Sequence, residues 1–325
     1  DLDGLSDAKS GGTNFSNSMI LGHQTTGTLS SATYNVGLGF GSLQAITQGD
    51  ELVGAGYNSL YSNTTGSRNT ALGNEAMYSN TTGSYNAGVG YRALYANTTG
   101  NFNTAVGNST LGSNTTGREN SGFGHKALLS NTTGENNVAI GRRTLYTTTT
   151  SFYNSAVGAY ALEDANRTSD TNGYNVAFGY NAGNTGTNDI TTGNKNTLLG
   201  ASTAASAAAG TNQTVIGYGA SGVANNSVTI GNSDVTAWYP GADNTADLGS
   251  SSVEFKDLYI DGTANLDAVD IDGGAIDGTA IGANSASTGA FTAITASTSV
   301  DVTGSAGVIL ENDETITNAT DGTVL

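Results

Sequence analysis

A glycine preceded by an apolar residue returns every seventeen residues, at Gly22, Gly39, Gly56, Gly73, Gly90, Gly107, Gly124, Gly141 and Gly158. It continues at Gly179, Gly200, Gly217 and Gly231, with spacings of 21, 21, 17 and 14. A period this strict means near-identical units that stack, because no unit of that size buries a face alone. The chain is therefore expected to be quasi-one-dimensional, with its function along a rod or at its ends.

The residues around the glycine define the unit. The position before it is apolar, as in Leu72, Val89, Val106, Phe123 and Ile140, and the one before that is mostly small, as in Ala71, Gly88, Ala105, Gly122 and Ala139. An Asn stands four residues before the glycine and a Leu or Met four after, for example Asn103 and Leu111. Side chains alternate along a strand. The apolar residue before the glycine is therefore expected to point inward and its small neighbours outward, and a second short strand is expected through Ala93-Leu94-Tyr95. The fixed glycine suits a bend with positive φ, and the recurring Asn63-Thr64-Thr65-Gly66 phrase suits a second corner. Two dependable apolar residues per unit make a thin core. Several parallel copies are therefore expected to pack face to face, with three the natural number. Thirteen coils at about 4.8 Å each give a rod of about 60 Å.

Composition narrows the function classes. Only 11% of the residues are charged, there are 47 glycines, and cysteine is absent, so there is neither a disulfide framework nor a thiolate metal site. No apolar run is long enough to span a membrane as a helix. The opening Asp1-Leu2-Asp3-Gly4-Leu5 reads as a processed or cut end of a longer protein. Residues 1–233 carry 12 acids and 9 bases, whereas residues 234–325 carry 15 acids and one base, Lys256. That shift marks a boundary near Trp238, and the acidity disfavours nucleic acid and anionic membranes as partners. The expected organisation is a lead-in over 1–18, a repeat domain over 19–235, a neck or cap over 236–262 and a β-rich shaft over 263–325.

Little in the sequence carries chemistry. The two histidines, His23 and His125, lie about six coils apart and cannot share one metal within a chain. Asp270-Ile271-Asp272-Gly273 resembles a fragment of a calcium loop but lacks the full oxygen set, so calcium is set against turn-forming Asp as the better reading and no cofactor is expected. Glu163 and Asp164 are adjacent, and neighbours on a strand face opposite ways, which suits no glycosidic acid/base pair. Without a usable His no nucleophile triad can be built, and the chain is not expected to be an enzyme. The lengthened repeats place Glu163, Asp164, Asn166, Arg167, Asn188 and Asp189 on inserted loops, the best candidates for lateral contact. Trp238 and Tyr239 are expected to cap the last coil. The Asn of each Asn-Thr-Thr-Gly corner matches a glycosylation acceptor, though the turn already explains it. Thr pairs such as Thr64-Thr65 form an ice-binding ladder only if they lie on a flat face.

Phrases such as Asn103-Thr104-Ala105-Val106-Gly107, Asn137-Val138-Ala139-Ile140-Gly141 and Ser227-Val228-Thr229-Ile230-Gly231 resemble the head repeat of trimeric autotransporter adhesins. The same repeat occurs in bacteriophage tail fibres. Ala246-Asp247-Leu248-Gly249-Ser250, Phe255-Lys256-Asp257-Leu258-Tyr259 and Gly274-Ala275-Ile276-Asp277-Gly278-Thr279 are more similar to those. The resemblance implies an all-β fold, a left-handed parallel β-roll whose three chains pack about one axis, followed by a trimeric β-rich shaft. It implies a virion-surface or extracellular fibre that attaches to a cell-surface glycan or protein receptor. Residues 1–325 do not include the coiled-coil stalk and membrane barrel of the adhesins or the tip or self-cleaving chaperone of many phage fibres, so they are expected to be a shaft without its tip. The alternatives are a bacterial surface adhesin or self-assembling filament and, third, a polysaccharide depolymerase.

Overall fold

A computed structural model describes residues 8–10, 17–22, 30–166, 172–239, 241, 248–250, 252–257 and 259–261. The chain divides into two compact units, Asp1–Ala246 and Asp247–Leu325. In the second unit the described residues hold one antiparallel bridge, Ser250 to Val253. The shaft expected over 263–325 and the Asp270–Gly273 phrase lie outside the described residues.

The first unit is a parallel β-solenoid of about 12 turns. After β1 (Ala8–Ser10) and β2 (Met19–Leu21), three-residue strands β3 to β12 stand immediately before each fixed glycine, from Val36–Leu38 to Thr197–Leu199. β13 (Gln213–Ile216) and β14 (Ser227–Ile230) complete one 14-stranded sheet in strict chain order. Every pairing from β2 onward is parallel and matches equivalent repeat positions, as Ala71 with Gly88 and Leu72 with Val89. β1, within the lead-in, runs antiparallel to β2 and covers the first edge of the sheet.

The fixed glycine is required by its neighbour one coil on. At Gly107 φ is +133°, a region closed to L side chains, and a Cβ there would lie 2.7 Å from the Gly124 carbonyl oxygen. The coils therefore stack at backbone contact distance along this corner.

Two expectations are corrected. The small residue of each strand points inward and the apolar residue before the glycine points outward: Ala71, Ala105 and Ala139 are fully buried, while Leu72, Phe123 and Ile140 are exposed. The interior is already filled by the Leu or Met four places after the glycine, including Leu94, Leu111 and Leu128, all fully buried. A Cβ on Gly88 would sit 3.0 Å from Met77 Cγ, so only Gly or Ala fits beside that column. Where the column thins to Ala204, the inward strand residue grows to Leu198, and both are buried.

The second strand is replaced by a turn. Residues such as Ala76 and Met77 are consecutive and both buried, which strand alternation forbids. The backbone manages it by entering the left-handed region twice within this turn, as at Arg92 (φ 53°) and Leu94 (φ 52°). It still bonds to the next coil, Leu94 N donating to Thr110 O at 3.0 Å.

Two buried columns of Asn hold the other corners. In the strand column Asn86 N and Nδ2 both donate to Asn69 Oδ1, and Nδ2 also reaches Gly100 O at 2.8 Å. In the corner column Asn80, Asn97, Asn114 and Asn131 each donate Nδ2 to the Oδ1 of the Asn one coil earlier, at 2.7–2.8 Å. The corner column ends where Thr148 turns its hydroxyl to Ala165 O instead, and Asn131 Oδ1 is left buried without a partner.

Ser151 explains why the column stops. The Asn side chain needs a glycine three residues on: a Cβ at Gly83 would meet Asn80 Oδ1 at 2.5 Å. Thr148→Asn alone should therefore lower the melting temperature by clashing with Ser151. Thr148→Asn with Ser151→Gly should raise stability by about 1 kcal/mol through the new bond to Asn131, since Asn154 Nδ2 keeps Asn137 Oδ1 when it loses the Ser151 hydroxyl. Urea unfolding of the pair checks both signs. By the same method Ala105→Leu should cost about 1–3 kcal/mol through overpacking, whereas Val106→Leu on the outer side should stay within about 0.5 kcal/mol.

Candidate interaction surface

The outward residues of the strands form two adjoining columns. One holds Leu38, Ala55, Leu72, Val89, Val106, Phe123, Ile140, Val157, Phe178, Leu199, Ile216 and Ile230, and the other is Val, Thr, Ser and Ala from Val36 to Val228. From β3 to β14 neither column contains a charged residue. Exposure in the apolar column reaches 41% at Ile140 and 56% at Phe178, high for large apolar side chains in the middle of a sheet. At about 4.8 Å per coil the stripe runs about 55 Å, and with a width of about 10 Å it covers roughly 550 Å². That is the upper end of what a monomer normally exposes.

Beside the stripe, charge stands in the corners on either side. The corner after each strand carries Glu75, Arg92, Lys126, Arg142 and Arg143; the corner before it carries Asp50, Glu51, Arg68, Arg118, Glu119, Glu135 and Lys195. Most pair between coils: Arg68 with Glu51 at 3.2 Å, Arg92 with Glu75 at 2.6 Å, Arg118 with Glu135 at 3.3 Å. The hydrogen bonds to Glu51 and to Glu75 raise the guanidinium pKa values of Arg68 and Arg92. Lys126, Arg142 and Glu119 make no ion pair among the described residues, and Arg142 instead lies 5.3 Å from the Tyr160 ring centroid.

Away from the stripe, aromatic residues stack coil on coil. Tyr61, Tyr78 and Tyr95 form one stack with centroids 5.0 and 5.3 Å apart, and burial raises the Tyr78 phenol above its ordinary pKa. The first Thr of each corner pair donates its hydroxyl to the next coil, as Thr64 to Thr81 O at 3.1 Å, so only the second, such as Thr65, faces solvent. Asn63, Asn80, Asn97, Asn114 and Asn131 are fully buried with bonded amides, and a sugar on any of them is incompatible with stacked coils.

The loop residues singled out from sequence are largely committed inside the chain. Glu163 binds Arg143 at 2.6 Å and accepts from Asn184 Nδ2 at 3.0 Å, joining three coils. Asn166 Oδ1 accepts from the Thr149 backbone and hydroxyl, and Asp189 Oδ1 accepts from Gly186 N. Asp164 and Asn188 are half-buried, whereas Gly186 and Thr187 project into solvent. Arg167 and His23 lie outside the described residues; His125 is exposed beside Lys126. No group of three His, Cys, Asp or Glu side chains lies close enough to hold a metal among the described residues. Trp238 and Tyr239 are 79% and 83% exposed, so within one chain they do not cap the last coil.

Glu163→Ala should therefore act on stability, not on recognition. A loss of about 1 kcal/mol is expected from the two broken bonds, read as a lower melting temperature with unchanged association in light scattering. Comparison of the chain with protein-family models, with curated proteins and with solved structures finds no match.

Proposed function

We propose that this protein is a non-enzymatic fibre whose solenoids associate, three to a rod, through their strand faces. The observation that carries the reading is the uncharged apolar stripe running from β3 to β14. A standard interface hides about 800 Å² per partner. The stripe with its flanking corners offers that much, and twelve equivalent uncharged rungs make it compatible with another copy of itself. An apolar face of this length in water is otherwise a route to aggregation.

The rod presents the same surface many times over, so weak contacts to a cell-surface glycan or protein multiply by avidity. The outward Tyr61–Tyr78–Tyr95 stack, the exposed Thr column and the Gly186–Thr187 projection remain available for such contacts. The repeat phrases that resemble phage tail fibres and adhesin heads support a fibre on a virion or cell surface. A depolymerase is disfavoured because Glu163, one of its two adjacent carboxylates, is engaged by Arg143 and Asn184. A self-assembling filament is the second reading, favoured by β14, which pairs only with β13 among the described residues.

Light scattering on the purified chain tests the reading. A mass of three chains is expected, and Val106→Asp with Ile140→Asp should reduce it to one without loss of the β circular-dichroism signal. A wild-type monomer would sink the fibre, and open-ended polymers would favour the filament.

A further inference from the structure

We propose that the two corners bordering the strand face form a recognition code that holds parallel copies of this chain level with one another. The proposal rests on the fibre reading, in which the strand faces of several copies meet about a common axis. In any cyclic assembly of that kind, the corner after the strand of one copy meets the corner before the strand of the next. When the copies are parallel and level, each coil meets the same coil of its neighbour.

The level arrangement puts unlike charges together. Glu75 falls opposite Arg68, Lys126 opposite Glu119, and Arg142 opposite Glu135, each pair drawn from one coil. Aromatic residues also meet, Tyr160 opposite Tyr153 and Tyr180 opposite Tyr174. A slip of one coil in one direction sets Glu75 against Glu51 and Arg92 against Arg68, like against like, and leaves one unlike contact, Arg143 against Glu119. A slip in the other direction leaves Glu75 against Tyr85 and Arg142 against Tyr153, and two of the three opposite-charge pairs are lost.

The stripe discriminates weakly, because every rung is uncharged whatever its size and a slip costs it little more than one coil of contact. Charges make the choice, since juxtaposed like charges are strongly unfavourable at an interface. The distribution of pairing within the chain agrees. Arg68, Arg92, Arg118 and Arg143 are neutralised by the coil above or below, whereas Lys126, Arg142 and Glu119 make no ion pair among the described residues. Lys126 and Glu119 flank the same strand, β8, so a level neighbour would bring them together, while Arg142 would share the neighbour's Glu135 with that chain's own Arg118.

The test is a charge swap in the full chain, read by light scattering through a dilution series. Lys126→Glu and Glu119→Lys should each weaken association at least about tenfold, and the double variant should return to within about threefold of wild type. Both side chains face outward, and an unchanged melting curve under dissociating dilution confirms that each variant folds. Single variants that associate as wild type, or a double variant as weak as the two losses combined, would overturn the code. An antiparallel dimer indifferent to the swap would do the same. If the wild-type chain is a monomer, the fibre reading falls and the code with it. If Val106→Asp with Ile140→Asp disperses the assembly while the charge variants do not, the code alone falls.

Discussion

The approach of one coil's backbone to the next at the fixed glycine is the constraint on which the rest depends. Gly107 lies so close to the Gly124 carbonyl that no Cβ fits, and the same holds at Gly73 against Gly90. Contact at that corner sets the rise of every coil and aligns all equivalent positions. The ladders follow from it: Asn on Asn, Tyr on Tyr, Arg on Glu. A buried amide is costly unless bonded, and here the bond comes from the same residue one coil away. The orphaned Asn131 Oδ1 shows what happens when the next coil departs from the pattern.

A coil this small has room for one column of large side chains. Leu and Met four residues after the glycine take it, and the strand beside them is left with Ala or Gly on its inner side. The larger residue of the strand then faces out. The solenoid's thin interior and its apolar outer stripe are thus two consequences of one volume limit. Leu198 opposite Ala204 shows the limit operating in reverse. The stripe in turn leaves charge to the corners beside it, where it can set the register of a neighbour without interrupting apolar contact.

The errors of a reading from sequence are instructive. Size suggested that Val106 lies inside and Ala105 outside, but strand alternation fixes only that the two face opposite ways. The phase is decided by what else occupies the interior, here Leu94, Leu111 and their equivalents. The Ala-Leu pair after the glycine was itself the signal against a second strand, since two consecutive inward residues break the alternation. What it could not convey is that Leu takes a left-handed backbone, as Leu94 does, because L residues rarely adopt it without tertiary support. Glu163 looked like an exposed loop carboxylate because its partners Arg143 and Asn184 lie one coil away on either side.

The sequence by itself determined the period, the stacking of equivalent units and the Gly and Asn corners. Each of these is a local requirement repeated at fixed spacing, and repetition makes a local requirement legible. Only the tertiary structure decided which side of the strand is buried, which loop carboxylates are engaged within the chain and which charges make no ion pair among the described residues. Those depend on how much volume a closed coil encloses and on which residues lie above and below. Neither is set until the coils stack.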